Sequence, residues 1–69
     1  MMTDQPHLNV RKLVDSLGGA RAVASLTGRT RAGVYYWIKQ NRIASDDLVT
    51  IWTKTRIDWT KFIERGDRA

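Results

Sequence analysis

An all-α fold, a compact bundle of four or five helices, is the class this sequence predicts, and three observations predict it. Apolar residues recur at helical spacing along most of the chain, and the periodic stretches are bounded by Gly or by Ser, Thr and Asp caps. No stretch alternates with period two for long enough to read as a strand. The 69 residues, 7.9 kDa, suffice for one core. A chain this short buries only about 60% of the surface it exposes when unfolded, so it gains from a partner subunit.

The polar, Pro-containing stretch 1–7 reads as a mobile tail, and residues 8–66 as the domain, with 67–69 a short C-terminal tail. Val10, Leu13, Val14 and Leu17 line one face of a first helix that Gly18-Gly19 terminates. A short second helix covers about Ala20 to Leu26, with Val23 and Ala24 inward. After the break Thr27-Gly28-Arg29, Thr30 suits the N-cap of a third helix over 31–40, which turns Val34, Trp37 and Ile38 inward. Ser45 reads as the cap of a fourth helix, with Asp46 and Asp47 favoured in its first turn by the macrodipole and Leu48, Ile51 and Trp52 as its core face. Asp58 reads as the cap of a fifth, stapled by Ile57 against Phe62 and stopped by Gly66.

Charge is distributed unevenly. The chain carries +5 at a pI near 10.3. Residues 1–19 and 43–69 hold equal numbers of acids and bases, whereas 20–42 hold Arg21, Arg29, Arg31, Lys39 and Arg42 and no acid. A one-signed stretch in an otherwise neutral chain suits a polyanion, although a solvated face lacking acids by chance is the plainer reading. No cysteine is present, so disulfide and thiolate chemistry are excluded, and His7 alone is too few ligands for zinc. Neither a membrane span nor an apolar leader is legible, no small-molecule site or cofactor motif is evident, and the expected compartment is the cytoplasm. An enzyme is a poor reading: no His lies near a nucleophile, and Asp46-Asp47 is explained as a helix start.

The informative constellation is Ala24, Gly28, Val34 and Trp37. Two short helices joined by a tight turn and packed at a steep angle form a helix-turn-helix, and that geometry needs a small residue at the crossing, a positive φ in the turn, and apolar residues on the returning face. Ala24, Gly28, and the pair Val34 and Trp37 supply these in that order and spacing, over about 20–40.

The stretch Leu17 to Trp52 resembles the helix-turn-helix of the Cro/CI-type phage repressors, nearest the small Cro-like branch that includes the YdaS-like antitoxins. The likeness rests on Leu17-Gly18-Gly19 before the first motif helix, Trp37 late in the second, and the Arg42-Ile43 step. Ala44 and Arg21 stand where family members often have Pro and Gln, so a phosphate contact that Gln commonly makes would pass to Arg21. The resemblance implies a lambda-repressor-like bundle that binds duplex DNA as a dimer.

On such a scaffold the outward face of the third helix offers Arg31, Ala32, Tyr35, Tyr36 and Lys39. Arg31, in the first turn, suits a bidentate contact to guanine; Ala32 suits a thymine methyl; Tyr35 suits a base edge or a phosphate. Tyr36 reads equally as a base contact or as a ring packed on a neighbour. Arg29 and Thr30 suit phosphates at the start of the helix, and Lys39, Asn41 and Arg42 suit backbone phosphates at its far end. Gly33 reads either as a point of close approach, to DNA or to the preceding helix, or as a tolerated defect. Trp37 and Trp52 read as core, and Trp59 with Phe62 or Ile63 as a dimer contact, since aromatic residues are enriched at interface centres.

Taken together these readings predict a Cro-like, sequence-specific regulator at the bacterial nucleoid, a repressor by expectation, that binds an inverted repeat of double-stranded DNA as a homodimer. Two other functions remain open: a protein-interaction module, either antitoxin or antiactivator, and a recombination directionality factor.

Overall fold

The computed structural model describes residues 6–65. Gly66 and the tail 67–69, together with residues 1–5, lie outside the described residues. Four α-helices and a two-stranded sheet make up the fold: β1 (Pro6–Leu8), α1 (Val10–Ser16), α2 (Ala20–Thr27), α3 (Arg31–Gln40), α4 (Ser45–Thr55), a 3-10 turn (Trp59–Phe62) and β2 (Ile63–Arg65). The molecule is a mostly helical globule, with a sheet that corrects the all-α expectation.

That sheet is antiparallel and pairs Pro6 with Arg65, His7 with Glu64 and Leu8 with Ile63. Residues 6–7, expected in the tail, are therefore part of a strand. The expected fifth helix is also corrected. Asp58 does cap, accepting the Thr60 N–H, but only one 3-10 turn follows before the chain extends into β2. The turn places Phe62 beside the start of α1, where its carbonyl accepts the Asn9 N–H at 2.8 Å. β1 supplies hydrogen-bond partners for the backbone of Ile63–Arg65, so the segment is satisfied as a strand without a further helical turn.

Helix boundaries follow local chemistry. Asn9 caps α1 by accepting the Lys12 N–H, and Gly18, at φ 106°, closes its C-terminus. The N-cap of α4 is Ala44, with no side-chain bond, rather than Ser45. The core comprises Val10, Val14, Val23, Ala24 and Val34, with Leu8, Leu17, Ala20, Trp37, Ile38 and Ile43 packed around it. Leu13 and Ile51 are fully buried as well. On α4 the buried residues are Asp47 and Ile51, while Trp52 is 44% exposed and lies under the Arg56 guanidinium, 5.5 Å from the ring centroid. The core role expected of Trp52 is thus corrected: it sits about 100° around the helix from Ile51, and the inward stripe runs through Asp47 instead. Among the described residues no helix is long and apolar enough to cross a membrane.

Candidate nucleic-acid interface

The pair α2 and α3 makes the most extensive helix–helix contact of the fold, and α1 and α4 pack behind it. Three residues join them, Gly28, Arg29 and Thr30. Gly28 takes φ 74°, a left-handed value that costs an L side chain about 1–2 kcal/mol, and its N–H and that of Arg29 both return to the Ala24 carbonyl. Thr30 then caps α3: its hydroxyl oxygen accepts the Gly33 N–H at 3.0 Å. At the far end Asn41, at φ 55°, and Arg42 donate their N–H groups back to Ile38 and Trp37 in a Schellman closure. Both ends of α3 are therefore pinned by residues the sequence singles out.

The faces of α3 fall where the spacing places them. Val34 is fully buried and Trp37 and Ile38 are half-buried against the core, while Arg31, Ala32, Tyr35, Tyr36 and Lys39 are exposed. Tyr36 is 62% exposed, which favours the reading of an available ring over a packed one. Arg21 on α2, Arg29 and Thr30 in the turn, and Asn41 and Arg42 beyond α3 are exposed too. The acid-free stretch 20–42 thus presents all five of its cations to solvent.

Two of these residues are already engaged. Asn41 directs its side-chain carbonyl at the Val10 N–H, 3.0 Å away. Arg29 donates through Nε to Asp47 Oδ1 at 3.2 Å. Among the described residues Arg21, Arg31, Lys39 and Arg42 take part in no ion pair. Asp47 is the functional candidate that pattern reading passed over. Its signal was positional: it shares a helix stripe with Leu48 and Ile51, whereas a purely dipolar acid has no reason to face the core.

A concavity of about 550 Å³ lies between the turn, α3 and the start of α4, bordered by Arg29, Gly33, Tyr36 and Asp47. A Cβ on Gly33 would meet only the Thr30 hydroxyl, at 3.4 Å, so close approach of α2 is not the reason for glycine there. Of the residues expected at a dimer contact, Trp59 and Phe62 are half-buried and Ile63 is 43% exposed. Among the described residues no group of three or more His, Cys, Asp or Glu could hold a metal ion. Comparison of the chain with protein-family models, with curated proteins and with solved structures finds no match.

Proposed function

We propose that this chain is a sequence-specific regulator that binds double-stranded DNA as a homodimer, with α2 and α3 acting as a lambda-repressor-like helix-turn-helix and α3 lying in the major groove. The observation that carries the reading is the joint one: five exposed cations and no acid over 20–42, surrounding an α3 face of Arg31, Ala32, Tyr35 and Tyr36 that faces solvent. A major groove admits one α-helix, and phosphates on either side of it attract the cations of the flanking segments. Arg31 and Tyr35 read base edges; Arg21, Arg29, Lys39 and Arg42 set the register on the backbone. The likeness of residues 17–52 to Cro/CI-type repressors supports the same assignment. A two-fold dimer sets two α3 helices about 34 Å apart on one face of the duplex.

Binding to duplex DNA measured against salt tests this reading. Four phosphate contacts per protomer, eight for the dimer, give a log–log slope of about −7, and a slope near zero rejects it. One observation favours a second reading, a protein-binding module of the antitoxin or antiactivator kind: Val49 and Trp52, three residues apart on α4, are both exposed. That module predicts partner binding with little salt dependence.

A further inference from the structure

Asp47 is the most deeply placed charged side chain among the described residues, 6% exposed in the first turn of α4. Burying a carboxylate is strongly unfavourable unless a counter-charge and hydrogen bonds offset it. The helix dipole accounts for an acid in this turn, and the exposed Asp46 already satisfies that preference. It does not account for an acid on the inward stripe of α4.

The counter-charge comes from a different element. Arg29 stands in the turn ahead of α3, held at its backbone by the Ala24 carbonyl, and its Nε meets Asp47 Oδ1 at 3.2 Å. A guanidinium is a planar fork with two usable edges. Engaging Nε fixes the side of the fork and leaves the terminal amino groups on the opposite end, and the Arg29 side chain remains 54% exposed. An arginine on a surface loop normally samples many rotamers and loses that freedom on binding; one held from behind has already lost it.

We propose that Asp47 is a positioning residue: it grips Arg29 through Nε so that the terminal amino groups point at a DNA phosphate beside the start of α3. The inference rests on the DNA-binding reading above and names the device by which α4, which lies behind the recognition pair, takes part in it. Arg29 stands two residues before Arg31, so fixing its direction also fixes where the base-reading arginine stands relative to the backbone.

A double-mutant cycle tests the assignment, with the full chain and a random-sequence duplex of about 30 base pairs, since phosphate contacts carry no sequence information. Asp47→Asn and Arg29→Ala each flatten the log–log salt slope by about two, one contact per protomer of the dimer, and each weakens binding roughly tenfold at low salt. The double variant loses no more than either alone. Far-UV circular dichroism checks that Asp47→Asn folds, and Arg29→Lys supplies a reading that leaves the buried acid in place. A lysine serves either the acid or the phosphate but not both, so it too flattens the slope. Additive losses overturn the proposal, as does Asp47→Asn binding with the wild-type slope or more tightly, or Arg29→Lys binding like wild type. A wild-type chain that binds no duplex at all removes the DNA reading itself, and this inference with it.

Discussion

The side-chain carbonyl of Asn41 accepts the backbone N–H of Val10 at 3.0 Å, tying the C-terminus of α3 to the first turn of α1. A helix start carries N–H groups with no partner of their own, and Asn41 satisfies one of them across 31 residues of sequence. The same residue holds the left-handed conformation that closes α3. Asn41→Gly keeps that conformation and loses the bond, so it lowers stability by about 1–2 kcal/mol. Asn41→Ala adds a torsional cost of roughly 1 kcal/mol more. Denaturant midpoints separate the two, and a glycine variant as stable as wild type removes the bond from the account.

Gly33 lies in the first turn of α3 with room for a Cβ, whose nearest neighbour is the Thr30 hydroxyl at 3.4 Å. Glycine inside a helix costs about 0.8–1 kcal/mol relative to alanine, so Gly33→Ala raises thermal stability by that amount. With no steric demand from α2, two readings of the glycine are left, approach of DNA to the helix backbone under the proposed function and a tolerated defect. If the first reading holds, the same substitution weakens duplex binding several-fold. Undiminished affinity in a stabilised variant marks Gly33 as a tolerated defect.

Arg31 and Lys39 occupy opposite ends of the exposed α3 face. Arg31→Ala relaxes base preference at one position of each half-site, a loss of about 1–3 kcal/mol of discrimination. Lys39→Ala weakens all sequences alike and reduces the salt slope of the dimer by about two. Selection of bound oligonucleotides by each variant checks both, and a uniform loss for Arg31→Ala contradicts base reading there.

Residues 10–40 were legible because their signals are local. Thr30 caps, Gly28 and Gly18 close helices, and Val34 faces inward, all through interactions within a few residues. The C-terminal third was less so. Ile63–Arg65 finds its strand partner in Pro6–Leu8 at the other end of the chain, and three residues are too few for alternation to show. On α4 the inward stripe includes an acid, Asp47, whose partner Arg29 lies 18 residues earlier, while Trp52 is 44% exposed. At the interface, spacing identified which α3 residues face outward, but it could not show that Asn41 and Arg29 already hold partners inside the fold.

Glu64 on β2 accepts hydrogen bonds from Lys12 Nζ at 2.9 Å and from Asn9 Nδ2 at 3.1 Å, joining the sheet to α1. The Lys12 bond, then the Asn9 bond, hold its carboxyl below the ordinary value near 4.5, against a smaller opposing effect of burial. A carboxylate whose pKa is depressed by folding stabilises the folded state above its unfolded pKa, and loses that contribution as pH falls through the folded one. The unfolding midpoint of Glu64→Gln is thus below that of wild type at neutral pH, and the gap closes as pH falls from the ordinary carboxyl value through the depressed one. A gap that persists unchanged into acid assigns the difference to something other than the Glu64 charge.

Ile51 and Trp52 are neighbours on α4 with opposite environments: the first is fully buried, the second 44% exposed with its ring under Arg56. Truncating a buried isoleucine removes its transfer free energy and leaves a cavity, so Ile51→Ala costs about 2–5 kcal/mol. Trp52→Ala removes an exposed cation–π contact worth about 0.5–1 kcal/mol, and some half-covered ring surface. Equilibrium unfolding of the two single variants measures the contrast directly. Trp52 emission adds an independent check, because a ring in contact with water emits at longer wavelength than a buried one, and Trp52→Phe removes the red-shifted component. If Trp52→Ala proves as damaging as Ile51→Ala, the half-covered ring contributes more packing than its exposure implies.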